Sequence, residues 1–492
     1  MRTLTMLLAF LEILLSTTAY AGQLQVQTTS GTVHGFYNNT ERTVRAFLGV
    51  PYAEAPTGGL RFAPPVLRKM SSAPMSATTF GPLCPSENRF DPGSIADILP
   101  YLPWGDTMAE DCLKLNIWTP SARRNGDQQA AVMMFIHGGA FTGGGSSIAY
   151  FDGTNIVQDN NDIIVVTLNY RLGVFGFPNA PGLRDGEQNV GIMDQRLAVE
   201  WVHKNIAKFG GDPARIMLFG QSAGSISTDM YTYAYYNDPI IHAAAMQSGT
   251  ASLLTSSDSS HRNWNNLSKK LGCATADPSE NLQCMRDLPF QDILSETVDG
   301  LYFFIPVQDN KIIFADYESR TKQGKVAKIA TLMGSNERES SVNYPLNSTI
   351  DQVDHGVVSL LTQIPFQCPT ARSSIWRVQS GVPVWRYIYH GNWTNISPAP
   401  FLGAYHSSEL PMIFGTYYKA GSPPTPEQIK ASEYIQGAWV SFARDPESLS
   451  TKYNWPKHKQ PDRQIVDLAL ENALTAGFSP AARWDTLCGL VL

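Results

Sequence analysis

Six short apolar runs recur along the chain, near 131–136, 163–168, 215–219, 242–246, 327–333 and 382–389. In Val132-Met133-Met134-Phe135-Ile136 no position is polar, as expected of a strand covered on both faces. Helical periodicity lies between several of these runs. From Asp194 to Lys208 the residues Leu197, Ala198, Trp201, Val202 and Ile206 repeat at helical spacing, and Gly210-Gly211 supplies the stop. Thr425-Pro426-Glu427-Gln428 has the form of a capping box with proline at the first helical position, and it predicts a helix through Phe442. Near the N-terminus, Gly22 to Gln27 starts an alternating strand. Strands separated by helices predict an α/β chain with a mostly parallel central sheet flanked by helices. Ala53 to Pro65 and Gly421 to Pro426 read as surface connections, and no composition break, repeat or low-complexity tract divides the chain. Tyr231, Tyr233, Tyr235 and Tyr236 read as packing residues rather than as the lining of a pocket.

Where the run Arg215-Ile216-Met217-Leu218-Phe219 ends, Gly220-Gln221-Ser222-Ala223-Gly224 opens a helix. A sharp strand-to-helix turn lifts a serine hydroxyl clear of the sheet, and the flanking glycines let neighbouring chain pass close by. The new helix also points free N–H groups and the positive end of its dipole at a developing oxyanion. Ser222 is therefore the candidate nucleophile, with Ala223 N–H as one oxyanion donor. The strand ending at Ile136 runs into His137-Gly138-Gly139-Ala140-Phe141-Thr142-Gly143-Gly144-Gly145, an oxyanion loop of the kind expected early in an α/β-hydrolase sheet, which adds Gly139 and Ala140 as donors. A phosphate cradle would need a following Gly-Lys-Ser/Thr or a dinucleotide fingerprint, and neither is present. In that fold the order is serine, acid, histidine. His406, in the small-residue loop Gly403 to Pro411, is the candidate base. His390 is its rival but ends a strand too near the sheet, and His242, His261, His355 and His458 have no comparable setting. The segment Gly334 to Ser340 leaves the end of another strand with Glu337 and Glu339, either of which serves as the acid, the other being solvated loop charge.

With these pieces in place the chain resembles, from about residue 25 to the end, the type-B carboxylesterase and cholinesterase family of α/β-hydrolases. The likeness rests on Phe47 to Ala53, Glu110 to Trp118, Asn169 to Gly173, Asn189 to Arg196, Phe219 to Gly224 and Met246 to Gly249. It implies an α/β-hydrolase fold with loop and helical insertions over the site, and a serine ester hydrolase that works through an acyl-enzyme with no cofactor and no metal. The family's acid falls on Glu339. Two departures stand out: Ser340 where glycine is usual, which raises the prospect of a different backbone angle there, and Gln221 where glutamate is usual. Gln221 removes a negative charge beside the serine and argues against the cationic substrates of cholinesterases. Were a cation preferred all the same, Trp104 is the aromatic residue to hold it. The stretch from Glu339 to His406 is short for the family, which implies a reduced helical cap. An acyltransferase would use the same triad, with an alcohol in place of water. A non-catalytic binding protein of this fold would lack triad members that are all present here.

Composition adds context. The 492 residues, 43% apolar, suffice for one large domain with insertions, spanning 22–492. A net charge of −6 offers no basic footprint for nucleic acid, and no apolar run past the first residues reaches membrane-spanning length. Met1-Arg2, then Leu4 to Leu15 and Ala19-Tyr20-Ala21, read as a secretory signal cleaved after Ala21. The expected partner is a small-molecule ester. Export makes the six cysteines bridge candidates whose pairing spacing alone leaves open among fifteen; the family resemblance implies Cys84 with Cys112, Cys273 with Cys284 and Cys368 with Cys488. Asn38, Asn266, Asn347, Asn392 and Asn395 begin N-glycosylation sequons.

Overall fold

Alternate residues of the strand Ala130–Ile136 enter two different cores: Val132, Met134 and Ile136 face one layer, and Ala131, Met133 and Phe135 the other. The same division holds for Ile163–Leu168, so the apolar runs are continuous because helices cover both faces of the sheet. The computed structural model describes residues 24–87, 107–121, 129–253, 255–459 and 461–490; the expected signal segment 1–21 and Trp104 lie outside the described residues.

In chain order the described strands are β1 (Gln25–Thr28), β2 (Gly31–His34), β3 (Phe36–Tyr37), β4 (Val44–Pro51), β5 (Met75–Ser76), β6 (Lys114–Pro120) and β7 (Ala130–Ile136). They continue as β8 (Ile163–Leu168), β9 (Gly211–Gln221), β10 (Ala243–Gln247), β11 (Ala330–Asn336), β12 (Val384–Tyr389), β13 (Gln464–Leu468) and β14 (Gly477–Pro480). Among the described residues β1, β2 and β5 form a small sheet, and the other eleven form one sheet in the order β14-β13-β12-β11-β10-β9-β7-β8-β6-β4-β3. Pairing is parallel from β8 through β7, β9, β10, β11 and β12 to β13. It is antiparallel at both ends, where β8 meets β6, β6 meets β4, β4 meets β3, and β13 meets β14. This is the α/β-hydrolase architecture.

Some boundaries differ from the sequence expectation. The helix expected from Asp194 begins at Val190, and a short 3₁₀ turn, Ile206–Phe209, separates its end at Asn205 from Gly210 in the left-handed region. The helix Pro426–Arg444 runs two residues past Phe442, and its capping box is half made. Thr425 Oγ1 accepts from Gln428 N at 3.2 Å, but the Gln428 amide turns away and donates to Met412 Sδ at 3.7 Å. Strand β11 extends to Asn336, three residues beyond the apolar run, and so carries the sheet directly into the turn that holds Glu337 and Glu339.

Several family-like segments are scaffold. The buried pair Arg171–Asp194, 2.7 Å, ties the stretch after β8 to the helix Val190–Asn205. Gly173 N donates to Phe141 O at 2.7 Å and holds the glycine-rich loop after β7 to the same stretch. Sulfur–sulfur bonds join Cys84 to Cys112, Cys273 to Cys284, and Cys368 to Cys488. Among the described residues no helix is long and apolar enough to cross a membrane.

Candidate active site

Ser222 sits between β9 and the helix Ala223–Ala234 with φ 55° and ψ −122°, a conformation that L residues avoid. Its neighbours hold it there. Ser222 N donates to Gln247 O at 2.8 Å and Ile226 N to Ser222 O at 2.9 Å. A methyl group on Gly220 would lie 2.3 Å from Gly224 O, and one on Gly224 would lie 1.9 Å from Ile136 O. Both contacts are to backbone, so Gly220 is required by the tightness of the turn itself and Gly224 by its close packing on β7.

The loop after β7 approaches the same point. A methyl group on Gly138 would come within 2.9 Å of Ser222 Cβ. Gly139, Ala140 and Phe141 follow with φ of 111°, 54° and 64°, three consecutive left-handed residues closed by Gly143 N donating to Gly139 O at 2.9 Å. Among the described residues no acceptor is paired with the N–H of Gly139, Ala140 or Ala223. His137 stacks on Tyr170 with ring centres 4.6 Å apart, and burial pushes its imidazole down to about 4, so it is neutral scaffolding.

His406 and Glu339 meet across 67 residues. His406 Nδ1 donates to Glu339 Oε2 at 2.6 Å, and Glu339 Oε1 accepts from Asn336 N at 2.7 Å. The Glu339 side chain is fully buried and the imidazole is 22% exposed. Burial lowers the imidazole's proton affinity, but the charge and hydrogen bond of Glu339 outweigh it and leave His406 above its ordinary value. Ser340 keeps a φ outside the left-handed region, in the 3₁₀ turn Glu339–Asn343, so serine in place of glycine costs no backbone strain. With Nδ1 donating, Nε2 is an acceptor, and Gln221 Nε2 occupies it at 3.1 Å. Among the described residues no hydrogen bond joins Ser222 to His406.

Three features of this site were not read from the sequence. One is the Gln221 contact. Another is Glu409, buried three residues after His406, which accepts from Asn336 Nδ2 at 2.7 Å and Gln247 Nε2 at 3.0 Å. Burial, then the nearby Glu339 charge, lifts its carboxyl to about 6. The third is Phe366, whose ring centre lies 5.1 Å from that of His406. Their signals in the sequence are Gln221 itself, which there speaks only of a missing charge, and a carboxylate three residues past the histidine.

The rival residues are accounted for elsewhere. His390 Nδ1 pairs with Glu337 Oε2 at 3.0 Å and its Nε2 with Asp467 Oδ1 at 3.2 Å, with the ring against Trp484. Glu337 is thus the partner of His390 and not a merely solvated loop charge. His458 is buried and pushed down to about 4 by that burial, His261 bonds Asn179 O at 2.9 Å, and His355 bonds Arg338 at 3.0 Å. Tyr231 and Tyr233 are buried packing residues against Arg196 and Arg377. Of the sequon asparagines, Asn266, Asn347 and Asn392 are exposed and Asn38 is half-buried. Asn395 is 6% exposed, with its amide donating to Tyr417 O at 3.1 Å and Ser422 O at 3.4 Å, which leaves no room for a glycan.

The sequence profile of the Carboxylesterase family matches residues 22–355 and 345–482. The chain is 41% identical over 431 residues to a chlorogenic acid esterase of Aspergillus niger, covering 86% of this chain and 83% of that protein. It is 37% identical over 497 residues to secreted lipase 5 of Gibberella zeae, covering 93% and 92%. A third likeness, 28% over 533 residues covering 94% and 93%, is to acetylcholinesterase-1 of Trittame loki.

Proposed function

Because the chain belongs to the carboxylesterase family and is a carboxylic ester hydrolase, we propose that it acts through an acyl-enzyme with Ser222 as nucleophile, His406 as base and Glu339 as the acid that orients it. As Gln221 yields Nε2, His406 takes the Ser222 proton while Oγ attacks the ester carbonyl. The oxyanion is received by the N–H groups of Gly139, Ala140 and Ala223. Collapse expels the alcohol, which takes the proton from His406, and water repeats the sequence on the acyl-enzyme. The observation that carries this reading is the 2.6 Å bond from His406 to a fully buried Glu339, beside a strained serine at a helix start.

The substrates we infer are esters without a cationic group, since the residue next to the serine is the neutral Gln221, and two relatives are named as a chlorogenic acid esterase and a secreted lipase. We also infer that residues 1–21 are a secretory signal, that 22–492 form one catalytic domain, and that the enzyme is secreted; the three disulfides and the relative named as a secreted lipase support this. The test is Ser222→Ala on a panel of chromogenic esters of increasing acyl length, with and without an acceptor alcohol. Loss of turnover on every ester is expected, and an alcohol-dependent product from the wild type would reassign the reaction to acyl transfer.

A further inference from the structure

A proline inside a helix has no N–H for the backbone ladder, and its ring meets the carbonyl four residues back. Pro365 stands at such a place, between the helix His355–Thr362 and the helix Cys368–Gln379, and there the chain widens into the single π-helical turn Gln363–Gln367. Such turns are rare. What the backbone ladder does not hold has to be held from outside.

The outside support is one short segment, Trp484 to Cys488, in which every residue is fastened. Trp484 Nε1 donates to Asp467 Oδ1 on β13 at 2.8 Å and to Ser479 Oγ on β14 at 3.0 Å. Asp485 accepts both prongs of the Arg386 guanidinium from β12, each at 2.6 Å, in the bidentate form that fixes direction as well as distance. Thr486 Oγ1 and Leu487 N donate to Gln363 Oε1 at 3.1 Å and 2.9 Å, and Cys488 is bonded to Cys368. Arg386 Nη2 also donates to Gln367 O at 3.3 Å. The π turn is thus held at its first residue, at its last and at the residue after it, while the segment that holds it is tied to three strands of the sheet. Between those ties lies Phe366, half-buried, with its ring centre 5.1 Å from that of His406. The imidazole is bonded to Glu339 at Nδ1 and to Gln221 at Nε2, so it has to turn about the Glu339 bond to exchange Gln221 for Ser222. Phe366 packs on the ring that makes this movement.

Resting on the assignment of His406 as base, we propose that Trp484 to Cys488 is a positioning strap for the catalytic histidine. The strap fixes the π turn, the turn fixes Phe366, and Phe366 limits the path along which the imidazole turns toward Ser222. A misplacement of about 1 Å caused far from the chemistry costs on the order of 10²-fold in rate, so the strap carries part of the turnover without touching substrate.

The test is a double-substitution cycle read on p-nitrophenyl butyrate. Gln363→Met keeps the length of the side chain, removes the acceptor that Thr486 and Leu487 share, and leaves the disulfide in place. Cys368→Ser with Cys488→Ser opens the strap independently, and each change is made alone and together with Phe366→Leu. The expected result is a fall in kcat of roughly fivefold or more for either strap change and for Phe366→Leu, with KM within about twofold and circular dichroism as in wild type. With Phe366→Leu already present, a strap change should cost no more than about a further twofold. Unchanged kcat in the strap variants overturns the proposal. So does a loss confined to KM, or one that multiplies with that of Phe366→Leu, because the strap then acts by some route other than Phe366. Should the two serines prevent folding, Gln363→Met decides alone. His406→Gln in the wild-type background keeps the two readings apart: retained turnover removes His406 as base, whereas its loss beside a multiplicative cycle overturns the strap alone.

Discussion

Replacing Glu339 by glutamine keeps the volume of a fully buried side chain while removing its charge, and the two bonds it makes leave the amide no acceptable orientation. The carboxylate accepts at both oxygens, from Asn336 N at 2.7 Å and from His406 Nδ1 at 2.6 Å. If the amide oxygen stays on Asn336, its NH₂ faces Nδ1 and forces the proton to Nε2, the tautomer that cannot accept from Ser222. If the oxygen stays on Nδ1, the NH₂ opposes the Asn336 N–H, donor against donor. The wrong tautomer in an equivalent triad costs about 10⁴ in kcat, or about 5.5 kcal/mol of transition-state stabilisation. The pH profile moves as well. Burial lowers His406 and Glu339 raises it, so without the carboxylate the balance tips downward and the acid limb of kcat/KM shifts to lower pH. Glu409 opposes this partly, because loss of the Glu339 charge lets it ionise more readily. Glu337→Gln is the control: Glu337 is 38% exposed and paired with His390, a contact worth at most about 1 kcal/mol, and its loss leaves the profile in place. The assay is p-nitrophenyl butyrate turnover from pH 4 to 9. A loss under tenfold in Glu339→Gln, or an equal loss in Glu337→Gln, would refute the assignment.

Ser222→Ala is expected to lose about 10⁴ to 10⁶ in turnover with its thermal midpoint held, and retention of a few per cent of activity would remove Ser222 as nucleophile. With Gln221 neutral, butyrylcholine and its uncharged isostere 3,3-dimethylbutyl butyrate should differ little in kcat/KM at low salt; a carboxylate there would be worth on the order of 4 kcal/mol at about 4 Å before screening, so a hundredfold cation preference contradicts the reading. Glu409, lifted from 4.5 to about 6, holds its proton more tightly folded than unfolded, so its contribution to stability is full below 4.5 and is lost as pH rises through 6, by about 2 kcal/mol. Urea unfolding of wild type relative to Glu409→Gln should show that decline between pH 4 and 7, and a difference that is flat or rises with pH counts against it. Intact glycopeptide mass spectrometry should find Asn395 unmodified, and a glycan there would mean that its two carbonyl contacts are not made in the secreted protein.

The parallel core was legible because a strand covered on both faces has no polar positions, as in Val132 to Ile136. The antiparallel margins were not. β3 and β14 are two and four residues long, and their pairing is set by neighbours rather than by any period of their own. β11 was read three residues early because its last residues, Gly334-Ser335-Asn336, are small or polar where the strand leaves the core to carry Glu339. The helix expected from Asp194 starts at Val190, after Asn189, whose side chain bonds Val307 and Asp309 rather than capping the helix.

At the site, the parts that were legible are those whose chemistry is written in local backbone. Ser222 needs a left-handed turn between two glycines, and that requirement survives in five consecutive residues. Contacts made at long range leave no such trace. His390 with Glu337 and Asp467, the burial of Asn395, and Glu409 beneath His406 are fixed by packing between elements distant in sequence. Gln221 belongs to both kinds. Its identity gave the absence of charge, but its amide is also a donor, and at 3.1 Å it holds the lone pair of His406 that the Ser222 proton must reach. A glutamate at that position would present an acceptor to Nε2 and favour the protonated ring. Glutamine instead favours the neutral ring with its proton on Nδ1, the state in which a base must wait. In the proposed triad the same residue therefore selects the productive tautomer and must release it before catalysis begins.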